Sequence, residues 1–517
     1  MRNLKTVAVV ALLAACGPKE IDIAVNVVST TCDQELDPFM GVNVVEVRIT
    51  GPGIETPLLT RTQRAETRLQ IPQIPSGPDR QIEIRGLAEM SSTRPISIGR
   101  SVPFEIPDVI TSSNSRVDIN IFMRRIDTFT PPSSAASPRA CSEMRSLRAG
   151  HTATLLRDGR VFIAGGFRLD GANRVALVDT EFYDPGKGSF EQGPALVVGG
   201  GTQLPRAMHT ATLLQNGQVL IYGGERYGGP TPTAQTSVLI FDVDQGAFGA
   251  VPSRQNPISI ARSRHLAIPE ASGRVLIASG YRDVGTGAKV FVPVPEVEWF
   301  DPTTNRIEVM TGELLPRAEA TGSAVQDGGI LVVAGGVTDA GVLSDDVNYY
   351  RFDGQTFVRA GATQHMPTGR RAAAAAALAD DLKVLVMGGY SSPTQPVPDP
   401  SSVTIDTGNN TVSSSNATVG ERGESCAAAL QNGSILVTGG RKAGGITDGS
   451  ATLIRYDVQK ATLTSAAASP MKQGMYLHTC TTLADGTVLV TGGVEERVAG
   501  SPTVLRSAWI YTPIPGD

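Results

Sequence analysis

Cysteine and histidine are both scarce, with five of each in 517 residues. No C-x-x-C pair occurs, which argues against a structural zinc site. Charge is thin as well. Charged residues make up 18% of the chain, and 45 basic against 50 acidic side chains leave a net charge of −5. With no long run of one sign, the chain has no electrostatic footprint for nucleic acid. No apolar stretch reaches the ~20 residues a membrane-crossing helix requires. The templates G-x-S-x-G, H-E-x-x-H, G-x-x-x-x-G-K-[ST] and S-x-D-x-G-x-T-W are all missing, so each familiar catalytic or phosphate-binding motif lacks its residues. No cofactor is implied.

Glycine (56) and proline (34) are abundant. Together with frequent Thr, Ser and Val they suit many short strands joined by tight turns. A chain of this length is expected to form two or more domains, or one large repeat array.

The chain opens "MRNLKTVAVVALLAACGPKE". Arg2 and Lys5 precede an apolar run from Thr6 to Ala15, too short to span a bilayer and of signal-peptide length. Leu13-Ala14-Ala15-Cys16 resembles a bacterial lipobox. The resemblance implies cleavage after residue 15, acylation of Cys16, and a lipid tether at residues 16–20. Gly17 is not the aspartate of an inner-membrane retention signal, which points to the outer membrane or cell surface. The membrane partner is then reached through the lipid alone. The other cysteines, Cys32, Cys141, Cys426 and Cys480, permit two disulfides in an exported protein, with three pairings.

Residues 21–125 alternate apolar and polar positions: "IDIAVNV" from Ile21, "VEVRI" from Val45, "QIEIR" from Gln81 and "VDINIF" from Val117. Arg68–Ile71 and Val102–Ile106 read as further strands. A small β-sandwich is expected, similar in pattern to immunoglobulin-like or transthyretin-like modules. Residues 126–144, rich in Pro, Ser and Ala, read as a linker.

From residue 145 to 517 one unit recurs. Small-residue doublets stand at Gly165-Gly166, Gly223-Gly224, Ser279-Gly280, Gly335-Gly336, Gly388-Gly389, Gly439-Gly440 and Gly492-Gly493. Each ends an apolar strand such as "VFIAGG" or "VLVTGG". Before it lie a turn and another strand, "HTATLL" in the first two copies; after it comes a strand such as "EFYDP" or "EWFDP". One four-stranded sheet cannot bury both of its faces, so the units must stack. The doublet followed by an aromatic-Asp strand resembles the kelch repeat. That resemblance implies a seven-bladed, all-β propeller. The seventh copy stops after three strands, and "DTFT" at 127–130 is the candidate fourth that closes the ring.

Counting fourteen residues back from each doublet gives His151, His209, His265, Thr321, Ala374, Ser425 and His478. A repeated position favours packing or blade-to-blade hydrogen bonding over a shared metal site. Three residues earlier stand Arg148, Arg206, Arg262, Arg371 and Arg422. By the resemblance they lie near one mouth of the channel. They could bind a carboxylate, sulfate or acidic glycan, or satisfy carbonyls and acids such as Glu181 and Glu298. Cys426 and Cys480 fall in adjacent blades, one residue out of register, and Cys32 with Cys141 would then link the two domains. The expected function is a monomeric module binding a protein or glycan at the propeller mouth. The alternative is a sugar oxidase, epimerase or hydrolase using the channel.

Overall fold

The computed structural model describes residues 8–9, 22–29, 32–33, 36–65, 70–108, 116–227, 232–251, 260–283, 291–325, 329–380, 382–395 and 397–515. Cys16 lies outside them, as does part of the expected strand Arg68–Ile71. Among the described residues no helix is long and apolar enough to cross a membrane.

Most of the chain is a seven-bladed β-propeller. Blade 1 pairs Thr152–Leu155, Val161–Ala164, Thr180–Asp184 and Ser189–Gln192 in antiparallel order. Blades 2 to 6 repeat this meander, with inner strands Thr210–Leu213, Leu266–Pro269, Thr321–Val325, Ala374–Ala377 and Cys426–Ala429. Blade 7 takes Thr479–Thr482, Val488–Thr491 and Ala508–Thr512, and its outermost strand is Thr128–Thr130, with Tyr511 opposite Phe129. Chain from before blade 1 thus completes the last sheet and covers the edge of Ala508–Thr512.

Second strands such as Val161–Ala164 are buried on both faces. Each blade sits between two others, so their continuous apolar runs follow from the stacking. A separate apolar cluster fills each of the seven interfaces. Blade 5 lacks aromatics on its third strand and fills its side of the interface with Val403 and Ile405.

The glycine doublets sit where adjacent blades touch by backbone. Gly166 donates its N–H to Arg206 O at 2.9 Å, and Gly224 to Arg262 O at 2.9 Å. A Cβ on Gly165 would lie 2.4 Å from Arg206 O and 3.0 Å from the His209 ring. Ser279 is a substitution with a reason. The blade after it has Ala320 at the histidine position, so no ring covers residue 279, and the Ser279 hydroxyl donates to Arg317 O at 2.8 Å. Gly223→Ser, beneath His265, is therefore expected to cost about 2–3 kcal/mol and Ser279→Gly less than about 1 kcal/mol in urea melts. Equal costs would show that the histidine ring does not set this choice.

The N-terminal strands form one continuous sheet, not two separate ones. Arg116–Arg125 pairs parallel with Asp22–Ser29 along one part and antiparallel with Ser97–Arg100 at its far end. Both halves of this bent sheet supply the same core, Val25, Ile119 and Ile121 packing with Val47, Ile82 and Ile84. The domain meets the propeller at the turns of blades 7 and 1. Arg100 Nη1 donates to Asp485 O at 3.5 Å, and Asn120 Nδ2 to Gly186 O at 2.8 Å. Cys32 and Cys141 are bonded across the junction, with Cα atoms 5.2 Å apart.

Candidate functional site at the propeller mouth

The inner strands contact one another in a closed cycle around the channel. Just before each strand the chain passes through a left-handed residue: Gly150, Met208, Arg264, Glu319, Ala372, Glu424 or Leu477, with φ between 51° and 58°. Six of these seven are not glycine, an uncommon conformation that needs a compensating contact. Backbone bonds supply it. Gly150 N donates to Leu477 O at 2.9 Å, Met208 N to Gly150 O at 2.8 Å, Arg264 N to Met208 O at 3.0 Å and Ala372 N to Glu319 O at 3.0 Å. This belt holds the channel mouth at the end opposite the hairpin turns and the N-terminal domain.

Side chains from the belt, and from residues just after the doublets, make a crown with two unlike sides. On blades 7, 1 and 2 it is apolar: Phe167, Tyr476, Val494 and Val504 are buried together, with Met208 and Leu477 packed on them. On blades 2 to 7 it is a network of charge. Arg264 bridges Glu225 (3.0 Å) and Glu319 (3.1 Å), and Glu319 also takes Arg371 (2.6 Å). Arg441 pairs with Glu496 at 2.9 Å, and Tyr390 Oη donates to Glu424 at 2.9 Å. Guanidinium groups also lie over aromatic faces, Arg371 on Tyr390 (4.8 Å) and Arg441 on Tyr476 (5.0 Å). Burial disfavours charge on Arg264, but Glu225, Glu319 and Glu424 outweigh it and push its pKa up. Glu424 belongs to blade 6, so the network reaches across the mouth from Arg264 in blade 3.

Four of the five arginines expected at the mouth belong to the blade interior. Arg148, Arg206 and Arg262 are fully buried, and Arg422 is 3% exposed. Arg148 donates to Gly165 O (2.6 Å), Asp179 (2.8 Å) and Glu181 (2.6 Å). Arg206 donates to Gly223 O (3.0 Å), Ser237 O (3.1 Å) and Ser237 Oγ (2.7 Å). Carbonyls at the ends of strands need donors, and a five-donor fork serves several at once. A shared arginine ring at the mouth is thereby corrected. Arg371 belongs to the crown, but not in the expected register. Blades 4 and 5 hold one extra residue between arginine and doublet, so the interior position there is Arg317 and Arg370. The same shift moves the histidine position from Thr321 to Ala320 and from Ala374 to Ala373. Blade 7 has buried Met475 in place of arginine.

The histidines join blades. His209 Nε2 bonds Thr152 Oγ1 of the preceding blade at 3.1 Å, His265 bonds Thr210 at 2.9 Å, His478 bonds Thr438 at 3.0 Å and His151 bonds Thr491 at 3.1 Å. All four are buried. Burial, aided by neighbouring arginine charge, lowers the pKa of His209 to about 3 and of His478 to about 4, and takes His151 and His265 well below 6.5. The fifth, His365, is exposed on an outer strand of blade 4 beside Asp345 and Asp346.

Cys426 and Cys480 are bonded, with Cα atoms 5.9 Å apart. Their one-residue offset is what the geometry requires. Facing blades present opposite faces of their own sheets, so partners must differ in strand parity.

No family model matches the chain, and no curated protein matches it. Among solved structures it resembles a fungal alcohol oxidase of the AA5 family in complex with copper, at 16% identity and a TM-score of 0.53, over 75% of this chain and 76% of that one. A protein named YjhT covers 63% of this chain with 99% of its own length, at 16% identity and a TM-score of 0.45. The first likeness supports the propeller fold. At this identity the likeness shows the fold alone; the four buried propeller histidines bond threonines between blades through Nε2.

Proposed function

We propose that this chain is a kelch-like binding protein of the bacterial envelope, tethered through lipidated Cys16, whose propeller mouth seats a protein or a glycan. The observation that carries this reading is the crown. Its aromatic faces, guanidinium groups and carboxylates stand on backbone positions fixed by the belt, so little ordering remains to be done on binding. Arg264, Arg371 and Arg441 keep part of their surface open there, and arginine is among the residue types that dominate binding energy. The split between an apolar and a charged side suits a ligand that carries both, such as a polypeptide segment or a sugar ring. The N-terminal domain occupies the turn side, which leaves the mouth free of it.

The test is a screen of residues 17–517 against a glycan array and purified envelope proteins, beside a variant carrying Arg264→Ala, Arg371→Ala and Tyr476→Ala. A ligand is expected to lose about tenfold or more in affinity on the variant. Unchanged affinity, or no ligand at all, would overturn the assignment of the mouth.

A further inference from the structure

Comparing one position across the blades reveals a missing acid. In blade 1, Glu181 stands opposite Ile163 and accepts from Arg148 at 2.6 Å. In blade 3, Glu298 stands opposite Ile277 and accepts from Arg262 at 2.7 Å and from the Ile260 amide at 3.1 Å. In blades 2 and 5 the position holds Leu239 and Val403, apolar side chains that are fully packed. Blade 6 has Thr452 opposite Val437, and two residues before it Ser450 replaces the Asp179 of blade 1. Both acids have become short hydroxyls, and neither is replaced by bulk.

The space they leave is open. A cavity of about 440 Å³ is lined by Arg422, Ser450, Thr452 and Gly420, and by the charged side chains of Lys442 and Glu421. Arg422 is buried and donates to Ser450 Oγ at 3.1 Å and Thr452 Oγ1 at 3.3 Å, but it makes no ion pair among the described residues. Its Nε is buried without a partner. Asp448, whose charge Arg422 senses, is committed to Lys442 and Ser450. The Gly420 amide corresponds to that of Ile260, which Glu298 caps in blade 3. Burial lowers the Arg422 pKa to about 10, so the guanidinium keeps its charge at neutral pH.

We propose that blade 6 carries a carboxylate-binding site at Arg422, in which a ligand supplies the group that Glu181 and Glu298 supply in blades 1 and 3. The cavity admits a sugar acid or another small carboxylate. In blade 3 the acid takes one Arg262 Nη2 bond and the Ile260 amide, and a ligand carboxylate takes Arg422 Nη2 and the Gly420 amide in the same way. The site is separate from the mouth and does not depend on what the mouth binds.

Glucuronate, acetate and glucose are titrated into the protein by calorimetry at constant ionic strength, with chloride as control. Both carboxylates are expected to bind and glucose is not. Thr452→Glu restores the internal acid. This variant should lose at least about tenfold in carboxylate affinity and melt no lower than the parent chain. Absence of carboxylate binding, equal binding of glucose, or full affinity in Thr452→Glu overturns the proposal. A Thr452→Glu chain that melts clearly lower also overturns it, because the cavity would then not be shaped for a carboxylate.

Discussion

Acidified below pH 6.5, the propeller is expected to lose stability with a slope of up to four protons. His151, His209, His265 and His478 are neutral and buried in the folded chain, with His209 not charging until about pH 3 and His478 not until about pH 4. In the unfolded chain each takes up a proton near its ordinary value of 6.5. A depressed folded pKa means that the unfolded state binds more protons, so stability is complete above pH 6.5 and falls as pH drops below it. Each group contributes about 1.4 kcal/mol per pH unit, and four together about 5–6 kcal/mol per unit. Between pH 6.5 and pH 4 the four together remove about 13 kcal/mol, most of a total stability of about 5–15 kcal/mol. Urea melts at pH 7.5, 6.5, 5.5 and 4.5 measure the slope. His209→Gln keeps a donor towards Thr152 and should reduce the slope by about one proton. An unaltered slope in that variant, or none in the parent chain, would show that the imidazoles reach solvent when folded.

The propeller was legible because its units repeat. The doublets mark every blade, and "DTFT" before the first blade matches a strand that the last one lacks. The crown was less legible, because it occupies the position that the repeat leaves free. Two residues after the interior position that arginine holds in six blades stand Gly150, Met208, Arg264, Glu319, Ala372, Glu424 and Leu477 in turn. Chemistry that changes sharply at one place in a constant frame was the available signal, and the constant arginine beside it drew the functional reading instead. Counting back from the doublets also assumed inner hairpins of equal length. One extra residue in each of blades 4 and 5 hid Arg317 and Arg370 and placed Arg371 at the wrong position. The Cys426–Cys480 pair was legible from its place in adjacent blades, and the one-residue offset is what two facing sheets require.

Arg262→Met is expected to cost about 3–5 kcal/mol, and Arg206→Met about 1–3 kcal/mol, in urea melts at pH 7.5. Both arginines are fully buried and both donate to carbonyls at the end of a second strand, Arg262 to Ser279 O and Arg206 to Gly223 O. They differ in charge. Arg262 also neutralises Glu298, which is itself fully buried; Arg206 meets Ser237 and the Leu204 carbonyl and pairs with no acid among the described residues. Methionine fills much the same volume in either place, as Met475 does in blade 7. The extra cost at residue 262 is therefore that of a carboxylate left uncompensated in the interior. Arg262→Met with Glu298→Leu removes that charge and should recover more than half of the loss. Recovery stays incomplete because Tyr222 Oη (2.7 Å) and the Ile260 amide (3.1 Å) then lose their acceptor. Equal costs at 206 and 262, or no recovery in the double variant, would mean that the guanidinium's carbonyl contacts dominate and the acid adds little. If the ranking holds, the arginine is the blade's constant backbone clamp and the acid an addition that each blade can omit. A blade that keeps the clamp, lacks the acid and leaves the space open is then the place where an outside carboxylate can enter.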